Sequence, residues 1–282
     1  MASDCPDSIR FLGTAGARFV MISQARSSAG VLYSVGGFRL LVDPGPGCLV
    51  RCHASQPKVD PSTLDAILLT HGHLDHAGDA NVMIEAMTGG GHRREGILFA
   101  PESALDGDPI VLRYVRNYLG AIEMLGEGKS WELAPGLRLA TPLRNRHSTE
   151  TYGFRLDTPS LRVSHVSDTL YFPELVEHYA PCDVLIVHVV LHEMDEERKK
   201  RILHMDATDA TRLIREVRPR VAIITHFGTT MLQAKPEKVA ARMADETGVK
   251  VVDARDGMSF DLGPFGEEKE NAVHGEDSRR VR

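Results

Sequence analysis

The sequence is poor in the features that mark secreted, membrane or polyanion-coating proteins. Four cysteines (Cys5, Cys48, Cys52 and Cys182) scattered over 282 residues cannot form a disulfide framework, and a reducing cytoplasm is expected. No apolar run approaches the roughly 18 residues needed to span a bilayer. The longest in the first 25 residues is 19–22, so neither a membrane span nor a secretory leader is expected. Positive charge is not in excess: 33 Lys and Arg against 39 Asp and Glu give a net charge of −6. Unspecific nucleic-acid binding is therefore disfavoured, and an anionic ligand would need a dedicated site. Aromatic residues make up 6%, with the single tryptophan, Trp131, read together with the methionines as core or pocket filler. The chain does have an ordinary globular composition, 42% hydrophobic and 26% charged, and 13 histidines.

Short β-type runs at residues 9–13, 31–35 and 38–42, the last two joined by Gly36-Gly37, predict a hairpin-built sheet. Residues 65–70 (DAILLT) read as a buried strand that delivers a loop at its C-terminal end. A helix is expected from about Asp79, with Val82, Met83, Ala86 and Met87 on its buried face and a Gly89-Gly90-Gly91 stop. A strand at 97–100, a helical region at 109–119 and β-type runs at 137–140, 152–156 and 161–166 follow. The second half is built alike: a strongly apolar strand at 183–190, an amphipathic helix at 206–217, a strand at 221–225, a helix at 236–247 opened by Pro236, and closing strands at 249–252 and 258–262. Mixed elements with no linker predict one α/β domain over residues 1–263, in four layers of helix, sheet, sheet and helix. Nine of the last 19 residues are charged, so 264–282 are expected to form a disordered tail.

The histidines are gathered. Directly after the 65–70 strand comes His71-Gly72-His73-Leu74-Asp75-His76, an H-x-H-x-D-H pattern. Histidines two residues apart can converge on one cation, while Asp75 and His76 serve a neighbouring position. Imidazole and carboxylate are the ligands that Zn, Mn and Fe(II) prefer. Without a cation, three imidazoles and a carboxylate within six residues would desolvate one another to no advantage. Single candidates His147, Asp168 and His226 follow later β-type runs.

This pattern resembles the metallo-β-lactamase fold superfamily of binuclear hydrolases, over about residues 9–262. The resemblance implies a four-layer αββα sandwich and two divalent metal ions, zinc first and Mn or Fe as alternatives. One ion would be held by His71, His73 and His147, the other by Asp75, His76 and His226, with Asp168 and a hydroxide bridging. Two dications against Asp75 and Asp168 leave a local charge of +2, which attracts an anion. Asp43, in Leu40-Leu41-Val42-Asp43-Pro44-Gly45, matches an acid that orients a ligand.

His204, 22 residues before His226, resembles an element of the ribonuclease Z branch in which a histidine donates a proton to the leaving oxygen. His204 and Asp75 are thus the expected catalytic groups, with Asp206 or Asp209 holding the His204 imidazole. Only 21 residues separate His147 from Asp168, too few for the long arm by which that branch grips transfer RNA. The closer resemblance is to compact, armless ribonuclease Z-like hydrolases. The expected reaction is hydrolysis of a small phosphodiester or related phosphate ester, with transfer RNA not expected as partner. A carboxyl-ester, lactone or thioester hydrolase on the same site, or an iron-dependent redox or metal-binding protein, stays open. A homodimer, common in that branch, is left open as well. Cys48 and Cys52 with His53 read as residues of a helix rather than a zinc site. His188 and His192 are placed near the pocket without being ligands, and residues 193–201 on a solvated face.

Overall fold

The computed structural model describes residues 6–265. Its strands, in chain order, are β1 (Ser8–Phe11), β2 (Val31–Val35), β3 (Phe38–Val42), β4 (Ala66–Leu68), β5 (Ile97–Ala100), β6 (Ala121–Met124), β7 (Lys129–Ala134), β8 (Leu137–Thr141), β9 (Phe154–Asp157), β10 (Arg162–Val166), β11 (Val184–His188), β12 (Val221–Thr225), β13 (Lys250–Asp253) and β14 (Ser259–Asp261). They form two seven-stranded sheets, ordered β14-β1-β2-β3-β4-β5-β6 and β13-β12-β11-β10-β9-β8-β7. Each sheet is antiparallel in one half and parallel in the other: β3 to β6 run parallel in the first, β10 to β13 in the second. The β2–β3 hairpin turns on Gly36 and Gly37, both at positive φ (58° and 79°), the geometry that matches strand twist.

Two-residue periodicity builds the layers. In β3, Leu40 and Val42 point into the core between the sheets, while Leu41 points outward. In β11, Val184 and Ile186 face that same central core, and Leu185 and Val187 face the other way. Helices Cys48–Ala54 and Ala80–Thr88 cover the outer face of the first sheet through Cys48, Cys52, Met83 and Met87. Helices Ala207–Val217 and Pro236–Thr247 cover the second through Leu213, Ile214 and Met243. This is the expected four-layer α/β sandwich.

Several local expectations need correction. Helix Ala80–Thr88 buries Ala80, Met83, Ile84 and Met87, while Val82 is 44% exposed: the stripe that meets the sheet follows i, i+3, i+4, i+7 from Ala80. Only Arg113–Arg116 is α-helical within 109–119. The solvated run at 193–201 is a helix, Glu196–Ile202, whose Lys199 is buried against Glu196, Asp206 and Asp209. Of the expected tail, Phe265 packs against Phe260 and lies under the Arg220 guanidinium; residues 266–282 lie outside the described residues, as does Cys5. No helix among the described residues is long and apolar enough to cross a membrane.

Candidate metal centre

The parallel strands aim their C-terminal ends at one place, where open α/β sheets hold ligands. The loop after β4 brings His71, His73, Asp75 and His76. Asp168 follows β10, His188 ends β11 and His226 follows β12. Helix Leu74–Ala77 carries Asp75 and His76 on a single turn. His226 has positive φ (62°), and its loop pairs with the loop after β1: Phe227 N–H donates to the Thr14 carbonyl at 2.8 Å, and Gly16 N–H to the Phe227 carbonyl at 2.9 Å. A Cβ at Gly16 would lie 2.1 Å from the His226 carbonyl oxygen, so only glycine lets these loops meet.

All seven expected ligands lie in one cluster. His71, His73 and His147 form one three-donor group, and Asp75, His76 and His226 another, each with its donor atoms within 4.8 Å. Asp168 stands between them: its Oδ2 is 3.8 Å from His71 Nε2 and 3.2 Å from His76 Nε2, and its Oδ1 is 3.4 Å from His226 Nε2.

Hydrogen bonds fix which nitrogens are free to bind. His147 Nδ1–H donates to the Leu203 carbonyl at 3.0 Å, leaving Nε2 as a lone pair. Thr70 Oγ1 donates to Asp43 Oδ2 at 2.7 Å and accepts from His71 Nδ1–H at 3.0 Å, leaving His71 Nε2 bare. These lone pairs meet His73 Nδ1 at 3.2 and 2.9 Å. Two nitrogens bonded to one tetrahedral zinc ion at 2.0–2.1 Å would stand roughly 3.3 Å apart, so this is the spacing of a shared cation. In the second group, His76 Nδ1–H donates to Asp43 Oδ2 at 2.8 Å, and its Nε2 faces the Asp168 and Asp75 oxygens at 3.2 and 3.7 Å, a place for a proton or a cation. Buried His226 Nε2 has no hydrogen-bond partner. Two lone pairs converging on one nitrogen, and an orphaned buried nitrogen, are costly unless a cation lies among them. The donor set therefore fits divalent cations.

The electrostatics agree. Burial would raise the Asp168 carboxyl, but His226, His204, His76 and His188 outweigh it and hold the group well below the usual carboxylate range. Burial pushes His71 well down, with His76 adding to the effect. His76 goes the other way: burial opposes its charge, yet Asp43, Asp75 and Asp168 raise it well above the ordinary histidine value. Carboxylates that favour a proton there favour a dication equally.

Asp43 supports the loop as expected. Its Oδ1 accepts from Thr70 N–H at 2.7 Å while Oδ2 serves Thr70 Oγ1 and His76, and its own backbone is left-handed (φ 51°), strain that this network holds in place. Asp43→Asn turns an N–H group toward one of these donors, and metal affinity measured against a competing chelator will fall by about 10–100-fold.

Other expectations fare differently. Asp206 and Asp209 do not hold His204: Asp206 caps the helix Ala207–Val217 through Asp209 N–H, and both carboxylates take Lys199, a partner the solvated reading of 193–201 had hidden. Buried His204 has an unpartnered Nδ1, 3.7 Å from Asp168 Oδ2. Burial, only partly offset by Asp168, pushes its imidazole down to about 4. His188 is closer to the centre than expected, with Nδ1 2.9 Å from Asp168 Oδ1. The sequence signal was a histidine ending an otherwise wholly apolar strand. His192 makes its ion contact with Glu193, away from the cluster. Residues 147–168 are filled by the β9–β10 hairpin and its approaches, with no arm.

Comparison with known proteins identifies the family. The beta-lactamase superfamily domain matches residues 38–227. An uncharacterised protein of Methanocaldococcus jannaschii is 30% identical over 90% of this chain and 94% of its own. Ribonuclease Z of Methanopyrus kandleri is 27% identical over 89% of this chain and 96% of its own. In fold, the chain is similar to the crystal structure of the metallo-β-lactamase fold protein YhfI of Bacillus subtilis, with a TM-score of 0.72, 18% identity, and 91% and 99% of the two chains covered. The chain belongs to the metallo-β-lactamase superfamily of metal-dependent hydrolases.

Proposed function

We propose that this chain is a binuclear phosphodiesterase acting on a small anionic phosphate ester. The observation that carries the reading is His204: a buried imidazole beside Asp168 with a nitrogen unspent, in neither of the two groups assigned to the cations, although with His147 and Asp168 it forms a further three-donor group. An ester hydrolase with an alkoxide leaving group needs such a proton donor, which a simple metal-storage site does not. The ribonuclease Z relative supports the same bond type.

His71, His73 and His147 would hold one cation, Asp75, His76 and His226 the other, and Asp168 both. Bound there, two divalent ions, zinc with Mn or Fe as alternatives, would lower the pKa of water toward neutrality and polarise the phosphorus centre. Net local charge would be +2 inside a −6 chain, which draws in a small anion while a long polyanion meets repulsion beyond the mouth. Buried His204 is neutral before substrate arrives. An incoming phosphate anion would add to the negative charge of Asp168 and favour the imidazolium, so that His204 takes up a proton from solvent as the substrate binds and passes it to the leaving oxygen. With residues 147–168 spent on a hairpin, the described residues carry no long arm between His147 and Asp168, which supports a small substrate over transfer RNA, and the reading is of a compact cytoplasmic enzyme.

His204→Ala will lower hydrolysis of a bis-aryl phosphate by about 10²–10⁴-fold while metal content stays at the wild-type value. A matched loss of metal would make His204 a ligand. Faster turnover of lactones or thioesters than of phosphate diesters, in the same panel with Zn, Mn and Fe(II) supplied separately, would overturn the assigned bond type.

A further inference from the structure

Behind Asp168, a line of buried polar groups runs into the central core, where apolar side chains would be cheaper. The Tyr33 hydroxyl, on β2, meets His165 Nδ1 at 2.6 Å; His165 Nε2, on β10, meets His188 Nε2 at 3.0 Å; and His188 Nδ1, ending β11, meets Asp168 Oδ1 at 2.9 Å. Tyr33 is fully buried, and His165 and His188 are 1% and 6% exposed. Phe154 stacks on the His165 ring at 4.8 Å between centroids, and His226 on His188 at 4.4 Å, so neither ring is free to turn.

Proton counting sets a direction. Burial, with Asp43 adding to it, raises the Tyr33 phenol well above its ordinary value, so it keeps its proton. A phenol proton in the core must be donated, and it faces His165 Nδ1; the His165 proton is therefore on Nε2. Between two Nε2 atoms 3.0 Å apart there is room for one proton, so His188 Nε2 accepts and the His188 proton is on Nδ1, facing the carboxylate.

We infer that Tyr33, His165 and His188 are positioning residues: a one-way hydrogen-bond relay that pins Asp168 Oδ1 and turns Oδ2 toward both cation sites. On this account His188 is not a ligand, although its Nδ1 lies in a possible donor group with Asp168 and His226. The inference rests on the proposed reading of Asp168 as the residue shared by two cations. It also explains why the first sheet sends a phenol across the core to the second.

Two-bond proton–nitrogen NMR of the histidine rings in the full chain reads the tautomers directly, with and without zinc. His165 will show Nε2–H and His188 Nδ1–H in both states. In chelator competition, Tyr33→Phe and His188→Leu will weaken zinc binding by about 10–100-fold, whereas His188→Asn, whose amide N–H can take the place of Nδ1–H, will restore it. The Co(II) absorption spectrum will shift in the first two variants and not in the third. A His188 Nδ1 resonance displaced by zinc makes it a ligand and overturns the relay, as does unchanged affinity in both Tyr33→Phe and His188→Leu. Failure of the wild-type chain to bind zinc overturns the proposed function instead, and the tautomers of the zinc-free chain still decide the relay.

Discussion

Replacing Asp168 by alanine will reduce the proposed pair of bound cations to fewer than one and lower turnover by more than the roughly 100-fold that marks the upper end for supporting residues. Asp168 lies in the middle of the centre. Its two oxygens face His71, His76, His188, His204 and His226 at 2.9–3.8 Å. Against two dications, Asp75 and Asp168 supply the two negative charges of the proposed ligand set; removing one leaves cation–cation repulsion half as well compensated in a buried site. The loss also strands the His188 Nδ1–H without its acceptor, an unsatisfied buried donor worth about 1–3 kcal/mol. Asp168→Asn keeps the volume but not the charge, so it separates the two effects: it will retain the circular-dichroism spectrum of the native fold and still lose metal by elemental analysis. Two full equivalents of metal in Asp168→Ala would mean that the six remaining residues suffice and that Asp168 bridges nothing.

The cluster proposed to hold metal was legible because its members are local or announced. Four of the seven fall within residues 71–76, Asp168 and His226 closely follow strands whose apolar pattern marks where a loop will emerge, and His147 lies in the loop between β8 and β9. The same alternation that sends Leu40 and Leu41 to opposite faces of β3 made the layer order readable. What was not legible depends on register between distant strands. His188 reaches Asp168 because β11 pairs in parallel with β10, setting Val166 beside Val187, and nothing in residues 183–190 states that partner. Tyr33 lies 132 residues from His165, and only the closure of one sheet on the other brings them together. Strands β6 and β7 were missed for another reason. They lie at sheet edges, and Lys129–Ala134, half polar and largely exposed, lacks the apolar alternation that identifies a covered strand. Lys199 was misplaced because charge runs are usually solvated; here Asp206 and Asp209 on the neighbouring helix bury one member of the run.

Stripping the cations will produce the second large effect, on stability rather than turnover. Ligand that binds only the folded chain stabilises it by about 4 kcal/mol when free ligand is about a thousandfold above Kd. In a domain of this size each kcal/mol moves Tm by roughly 2–4 °C. Each filled site therefore contributes about 8–16 °C, and dialysis against a strong chelator will lower the calorimetric Tm by that amount per ion removed. The folded structure makes the coupling strong, because the donors are held close whether or not a cation is present: His71, His76 and Asp168 are all within 2% exposure, with lone pairs aimed at one another. In the unfolded chain, His147, Asp168 and His226 are separated from the 71–76 motif by tens of residues and cannot offer a comparable site. Restoring Zn, Mn or Fe(II) one at a time will rank the ions by the Tm that each recovers. Asp168→Ala gives the control, since a chain that holds less than one ion has little left for the chelator to remove. A Tm that ignores the chelator in the wild-type chain would mean that His226 Nε2 and its neighbours tolerate burial without a cation, and the metal reading would fail at its physical premise.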